Sequence, residues 1–152
     1  MFVKIEMPML LEIKRVTSID LPLLNQLYTE IDGESPLSLA HIEQIFKQIQ
    51  QFPNYNIYIA WLNGEPVGTF SLLFIPLILH DSKSAIIDAV VVTSAYRNQG
   101  IGKAMMQEAL KLSREAGCYK AMLSSNLKRT AAHQFYESLG FKQQGWSFSL
   151  EL

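Results

Sequence analysis

Two glycines at the start of a predicted helix are the residues of this sequence best suited to binding a charged ligand. Gly100 and Gly102 follow the apolar run 85–93, so the chain leaves a buried strand and enters a helix here. Glycine lets the backbone approach a ligand closely, and the first N–H groups of a helix lack partners within it. Because the helix dipole also favours negative charge, the segment predicts a phosphate site. A tight turn with glycine as the helix cap is the alternative.

A single acidic residue interrupts the apolar strand before these glycines. Asp88 is the only charged residue between Ala85 and Val92. A carboxylate in an apolar strand is costly unless it is paired or faces a cleft. Asp88 is therefore either a functional group in a cleft or a structural carboxylate bonded to a neighbouring loop. His80, in the loop before this strand, either lines the same pocket or is exposed.

Hydrophobic periodicity predicts the elements that position these residues. Strands are predicted at 11–16, 56–62, 66–75, 85–93 and 119–125, followed by an alternating terminal strand with Trp146, Phe148 and Leu150. Helices are predicted from Ser18 or Asp20 to a stop at Asp32-Gly33, over 42–49, from about 100 to 116, and over 130–139. The predicted order is βααβββαβαβ.

The connections between these elements predict a mixed sheet. Asn63-Gly64 indicates an antiparallel hairpin, whereas the strand, helix and strand between 85 and 125 indicate a right-handed crossover with parallel strands. No repeat or linker divides the chain, so we expect one α/β (α+β) domain over residues 1–152.

Composition excludes several classes of protein. The chain has 152 residues, 49% of them hydrophobic and 18% charged, with a formal net charge of -1. It lacks the excess of basic residues that is typical of proteins whose partners are nucleic acid or an anionic membrane. The single cysteine, Cys118, excludes an internal disulfide and a Cys-based zinc site, and we predict no metal. The longest apolar stretch, 67–79, is too short to span a membrane, so we expect a cytoplasmic protein.

The residues around Gly100 fail two phosphate motifs and match a third. A Walker A loop would have Gly at position 97 and Ser or Thr at 104, where this chain has Arg97 and Ala104. A dinucleotide fingerprint fails because Met105 stands at its third small position. The segment 97–102 (RNQGIG) instead fits Arg/Gln-x-x-Gly-x-Gly/Ala, and the segment 131–141 (AAHQFYESLGF) contains A-x-x-F-Y-x-x-x-G-F. Together, in this order, these motifs resemble the GNAT superfamily of acyl-CoA-dependent N-acetyltransferases.

The resemblance implies a GNAT-like fold, with helices on both faces of a twisted sheet, and acetyl-CoA as co-substrate. The diphosphate would bind backbone amides from Asn98 to Lys103. The pantetheine arm would pair with the backbone of Val90 to Val92, where a bulge splays this strand from the next. The implied coenzyme-binding residues are Val90, Val91, Val92, Arg97, Asn98, Gln99, Gly100, Ile101, Gly102, Lys103 and Asn126.

The resemblance also implies catalytic residues. Tyr136 stands where the family places its general acid, and Asp88 where several relatives carry a general base. An amine would attack the thioester directly, and CoA would leave as a thiolate. Tyrosine is a weaker acid than a thiol by about 1.5 pKa units, or roughly 2 kcal/mol, so Tyr136 would mainly hydrogen-bond the leaving sulfur. A core aromatic is the alternative for Tyr136.

The implied acceptor is a primary amine, with a small molecule favoured over a protein or peptide. A non-catalytic acyl-CoA-binding module is the third hypothesis. The family's acceptor pocket corresponds here to 31–38, 74–84 and 146–148. The stretch 124–129 is also similar to bacterial aminoalkylphosphonate N-acetyltransferases, which makes Lys128 and Arg129 candidate substrate contacts beside His80, with a solvated surface as the alternative. The alternating tail either pairs with a second copy in a homodimer or closes the sheet.

Overall fold

The Asn63-Gly64 turn joins two neighbouring strands of the sheet. In the computed structural model, which describes residues 10–31 and 35–152, these two residues have φ of 50° and 84°. Positive φ at both central residues is the geometry of a two-residue hairpin turn, because it matches the twist of the flanking strands. The turn links β2 (Tyr55–Leu62) to β3 (Glu65–Leu77), and the predicted antiparallel hairpin is confirmed.

In the described part of the chain, five strands form one mixed sheet. The remaining strands are β1 (Leu11–Arg15), β4 (Ser82–Val92) and β5 (Cys118–Met122). The strands lie in sequence order, antiparallel throughout except that β5 is parallel to β4. The crossover from β4 to β5 is the long α3 (Ile101–Glu115), so the predicted parallel pair is confirmed.

Helices cover both faces of this sheet. The helices α1 (Leu21–Tyr28) and α2 (Leu39–Ile49) bury Leu24 and Phe46 against Ile59 of β2. On the other face, α3 buries Met105 against Phe70, and α4 (Thr130–Ser138) adds partly buried aromatic side chains. The predicted fold class is therefore confirmed. The predicted helix stop at Asp32-Gly33 lies outside the described residues.

A bulge interrupts the pairing of β4 with β3. Thr69 pairs with Val91 and Ser71 pairs with Asp88, so two residues of β4, Ala89 and Val90, face one residue of β3. The extra residue of a bulge leaves the ladder and bends its strand. The predicted bulge in this strand is present, and the chain beyond it leads to the start of α3.

The prediction of a terminal strand is wrong for the single chain. After α4, residues 141–152 form no strand, and Trp146, Phe148 and Leu150 are exposed. Alternation gives a segment one apolar face, but a strand also needs a neighbour to accept its main-chain hydrogen bonds. Within residues 10–31 and 35–152, no helix is long and apolar enough to cross a bilayer.

Candidate active site

A cavity opens where β4 and β5 separate. Their last paired residues are Ile86 and Met122, and beyond this point the two chains diverge. The resulting space has a volume of about 520 Å³. It is lined by Ile31, Ile87, Asp88, Ala89, Val90, Leu123, Ser124, Ser125, Asn126, Lys128, Arg129, Ala132 and Tyr136. A gap at the carboxyl ends of parallel strands is a common position for ligand sites in α/β proteins.

The β4 bulge forms one side of this cavity. Ala89 has φ of 48°, a left-handed conformation that is uncommon for residues other than glycine. The Ser71 hydroxyl donates a hydrogen bond to the carbonyl oxygen of Asp88 at 3.2 Å, which holds the strand beside the bulge. Strained residues of this kind persist where the surroundings enforce them, often at functional sites. The bulge frees main-chain groups of β4 from the ladder next to the cavity.

Asp88 and Tyr136 both face the cavity. Asp88 is exposed, which agrees with the cleft hypothesis for this carboxylate rather than with a buried structural one. Burial raises the pKa of the Tyr136 phenol; the charge of Arg129 opposes this shift, and the charge of Asp88 adds to it. The ring of Tyr136 packs against Phe135 and Phe141, at centroid distances of 5.3 and 6.0 Å. A neutral phenol held in this way is a hydrogen-bond donor at physiological pH.

The turn before α4 brings two cations to the opposite wall. The Asn126 side-chain oxygen accepts from the Lys128 N–H at 2.9 Å, and the Asn126 carbonyl accepts from the Arg129 N–H at 2.9 Å. His133 Nε2 donates to the same carbonyl at 2.9 Å. These bonds fix the turn so that both Lys128 and Arg129 line the cavity. The spacing of His133 in the sequence gives no signal of this contact.

The first turn of α3 keeps the conformation expected of a ligand-binding helix start. Gly100 has φ of 83°, and its carbonyl accepts the N–H of Ala104 at 3.1 Å. The preceding amides, from Ile101 to Lys103, belong to the first helical turn and have no partner in the helix. A Cβ added to Gly100 would meet nothing within 4 Å, so glycine is required for its conformation, and the space beside it is open.

Arg97 and Gln99 bind the protein itself. The Arg97 Nε donates to the Val92 carbonyl at 3.0 Å, and its Nη2 lies 3.6 Å from the carboxylate of Glu30. The Gln99 side chain donates to the Ala95 carbonyl at 3.5 Å. Neither residue lines the cavity. Their side chains thus shape the turn that leads into α3.

Several predicted residues lie away from the cavity. His80 packs against Tyr119 in a tilted arrangement, with ring centroids 5.0 Å apart. It lies away from the cavity because the loop before β4 precedes the start of that strand, whereas the cavity lies at Asp88 and beyond. The predicted pocket segments 74–84 and 146–148 do not line the cavity either, whereas Ile31 does. Val91 and Val92 pair with β3, so of the three predicted valines only Val90 reaches the cavity.

Some lining residues were outside the sequence prediction. Leu123, Ser124 and Ser125 follow β5 and line the cavity because β5 ends at Met122, earlier than the strand predicted to residue 125. Ala132 lies one helical turn before Tyr136 and therefore shares its face. Among residues 10–31 and 35–152, no group of three or more His, Cys, Asp or Glu side chains forms a cluster suited to a metal ion.

Comparison with known proteins defines the family. The family model described as "Acetyltransferase (GNAT) family" matches residues 22–141. The chain therefore belongs to the GNAT acetyltransferase family, and the acyltransferase class predicted from the two motifs is confirmed at the level of the family.

Individual relatives agree with this assignment. The chain is 37% identical over 90 residues to the glucosamine 6-phosphate N-acetyltransferase of Trypanosoma brucei brucei, covering 59% of each chain. It is 36% identical over 100 residues to the aminoalkylphosphonate N-acetyltransferase of Salmonella typhimurium, covering 66% of this chain and 65% of the relative. The matched segments thus span about three-fifths of these curated relatives.

A solved structure extends the likeness to nearly the whole chain. The crystal structure of an acetyltransferase from Trypanosoma brucei superposes with a TM-score of 0.82 at 28% identity. The superposition covers 93% of this chain and 99% of the other.

Proposed function

We propose that this protein is an N-acetyltransferase that moves the acetyl group of acetyl-CoA directly to the primary amine of a small molecule bearing a phosphate or phosphonate. The observation that carries the proposal is the lining of one cavity by Tyr136, Asp88, Lys128 and Arg129. A hydrogen-bond donor, a carboxylate and two cations are the groups that this transfer requires. The cytoplasmic location expected from the sequence remains a prediction.

The donor would bind mainly through main-chain groups. The amides from Ile101 to Lys103 suit the diphosphate of CoA, because a helix start combines unpaired N–H groups with a favourable dipole. The bulge at Ala89 suits the extended arm of the coenzyme, since groups that left the ladder can pair with it. Charged Lys103 beside these amides would add attraction for the phosphates.

The reaction would divide between two side chains. A new bond forms between the amine nitrogen and the acetyl carbon as the carbon–sulfur bond breaks. Asp88 would accept the proton that the ammonium loses before it attacks, directly or through water. The nitrogen would release a second proton to water as the tetrahedral adduct collapses, and Tyr136 would donate a hydrogen bond to the departing thiolate. Burial of Tyr136 raises its pKa further above that of a thiol. Hydrogen bonding rather than complete proton transfer is therefore its role.

The acceptor class rests on Lys128 and Arg129. Two cations on the wall opposite the bulge suit an anionic group on the acceptor, because charge-assisted hydrogen bonds to phosphate are short and strong. Two of the relatives, the glucosamine 6-phosphate N-acetyltransferase and the aminoalkylphosphonate N-acetyltransferase, support the same class of acceptor.

Matched pairs of amines test the proposal. Release of free thiol from acetyl-CoA would be followed with glucosamine 6-phosphate against glucosamine, and with 2-aminoethylphosphonate against ethylamine. We expect kcat/KM to be at least tenfold higher for the anionic member of a pair. Equal rates within each pair would reject the anionic acceptor, and CoA binding without thiol release from any amine would favour a non-catalytic module.

A peptide amine is the second candidate acceptor. Asp88 is exposed, so an extended chain as well as a small molecule could reach this carboxylate. A set of short peptides with free amino termini or lysine side chains belongs in the same assay. Turnover of peptides above that of every phosphorylated amine would replace the first candidate with this one.

A further inference from the structure

Tyr28 is a phenol at the edge of the core that the proposed reaction does not use. It is the last residue of α1, and it packs on the buried cluster that contains Leu24, one helical turn earlier. One turn later in the chain, Ile31 donates its N–H to the Tyr28 carbonyl at 3.0 Å and lines the cavity. Tyr28 therefore lies at the border between the core and the candidate active site.

The register of three strands places the Asp88 side chain on the face of the sheet that α1 covers. Ile57 of β2 pairs with Ser71 of β3, and Ser71 pairs with Asp88 of β4. Side chains of directly paired residues lie on the same face of a sheet. Ile57 is buried in the same cluster as Leu24 of α1, and α1 packs against both β3 and β4. Asp88 and Tyr28 thus share this side of the sheet.

The electrostatics of Tyr28 agree with a phenol that faces this carboxylate. Burial raises the pKa of Tyr28 far above its ordinary value, and negative charge on Tyr55 and on Asp88 raises it further. Such an effect requires a short and poorly screened distance between the groups. Within residues 10–31 and 35–152, no direct hydrogen bond joins Tyr28 to Asp88. A single water bridges polar groups that lie near each other without direct contact.

We propose that Tyr28 is a positioning residue for Asp88, and that its phenol holds the water through which the amine passes its proton to this carboxylate. The role rests on the acetyl transfer proposed above. The ammonium nitrogen gives one proton to the water, and the water gives one to a carboxylate oxygen of Asp88. The Tyr28 hydroxyl donates a hydrogen bond to the water and keeps its own proton throughout.

Two phenols then act on opposite partners of one reaction. Burial raises the pKa of both Tyr28 and Tyr136, so both are neutral donors at physiological pH. Tyr136 lines the cavity, where the leaving sulfur would lie, whereas Tyr28 does not. Tyr28 can therefore affect the reaction only through Asp88 and its water. Loss of the two hydroxyls should accordingly have different consequences.

Removal of the Tyr28 hydroxyl is the first test. For whichever phosphorylated amine is acetylated faster, Tyr28→Phe should lower kcat about 5- to 20-fold, because the water loses a hydrogen bond that fixes its position. KM for the amine and the Kd for acetyl-CoA should stay within twofold, since Tyr28 does not line the cavity. An unaltered kcat would overturn the proposal.

Tyr58→Phe is the matched control for this variant. It removes a phenol from the other face of β2, where the ring stacks on Phe70 with centroids 5.1 Å apart. Its kcat should equal that of the wild type. A similar fall in Tyr58→Phe and Tyr28→Phe would mean that losing any core phenol disturbs the fold, and it would overturn the specific role of Tyr28.

A double-mutant cycle separates action through Asp88 from a merely structural role. Asp88→Asn removes the proton acceptor, so the water has no carboxylate to protonate. Adding Tyr28→Phe to Asp88→Asn should lower kcat by less than a further twofold, whereas a structural effect would repeat its full fall. Turnover of a phosphorylated amine with fully additive losses would overturn the role of Tyr28 alone. Absence of thiol release with every amine would overturn the proposed function and this role together.

Discussion

Two regions contribute to the proposed site, and they are built from different parts of the chain. The main-chain region consists of the bulge around Ala89, which lines the cavity, and the first turn of α3 after Gly100, which lies outside the cavity lining. The side-chain region consists of Asp88, Tyr136 and the Asn126–Arg129 turn. Backbone groups are set by conformation and survive most substitutions. Side-chain groups can be removed one at a time, so the two regions should respond differently to mutation.

The largest effect is expected from a change that alters the conformation of the main-chain region. Gly100→Val places a β-branched residue at φ of 83°, where it is strained, and puts its side chain beside the first amides of α3. We expect the Kd for acetyl-CoA, measured by calorimetry, to rise at least 100-fold.

A second glycine provides the control for this prediction. Gly64 has almost the same φ, 84°, and also meets nothing within 4 Å, but it lies in the β2–β3 turn. Gly64→Val should lose stability to a similar degree and keep its affinity for acetyl-CoA. Equal loss of affinity in both variants would mean that the diphosphate binds elsewhere.

Removing one hydroxyl from the side-chain region should have the next largest effect. Tyr136→Phe keeps the ring between Phe135 and Phe141 but removes the hydrogen bond to the leaving sulfur. We expect kcat to fall by about 10- to 100-fold, which corresponds to about 1.4–2.7 kcal/mol of transition-state stabilisation. The Kd for acetyl-CoA should stay within twofold. Tyr119→Phe, near the start of β5 and away from the cavity, should change neither quantity, and an unaltered kcat in Tyr136→Phe would exclude its catalytic role.

Loss of a cation should affect the acceptor alone. Arg129→Gln is expected to raise KM for a phosphorylated amine about tenfold, because a charge-assisted hydrogen bond is replaced by a weaker neutral one. KM for the matched amine without phosphate should not change. Arg114→Gln, on the exposed surface of α3, is the control. A similar rise in KM for both amines would argue against an anion site.

The pH dependence of kcat should show that Tyr136 keeps its proton well into the alkaline range. Its pKa is raised above the ordinary value of about 10, chiefly by burial, so its neutral form persists below that pH and is lost only as pH rises through the higher value. We expect kcat at saturating amine to change less than twofold between about pH 8 and 9.5. A decline within this window that disappears in Tyr136→Phe would contradict the neutral phenol.

The smallest effect is expected where the bulge strains the main chain. Ala89→Gly removes the strain of the left-handed conformation, which stabilises the fold by about 1 kcal/mol. Glycine also loses more conformational entropy on folding, which destabilises the fold by about 0.5–1 kcal/mol. Denaturant unfolding should therefore give stability within about 1 kcal/mol of the wild type. Ala85→Gly, in the half of β4 paired on both sides, lacks this relief and should be less stable than Ala89→Gly. The reverse order would show that φ at Ala89 is not strained.

The main-chain region was the more predictable of the two. Glycine spacing after an apolar strand indicates a helix start directly, because few other residues adopt the conformation of Gly100. Tyr136 and Asp88 followed from the motif and from a lone charge in an apolar strand. Of the two alternatives for His80, the structure shows the exposed one. The tail was mispredicted as a strand, since residue type does not reveal whether an alternating segment finds an edge to join. The bond from His133 to Asn126 depends on the turn geometry and has no sequence signature.

Arg97 bridges two segments whose neighbouring residues line the cavity. Its guanidinium reaches the Val92 carbonyl, three residues beyond the strained Ala89, and the carboxylate of Glu30, the residue before Ile31 on the cavity wall. A ligand that drew this guanidinium towards itself would weaken both contacts. Thermodynamic linkage then requires reciprocity: whatever the first substrate does to the affinity for the second, the second does equally to the affinity for the first.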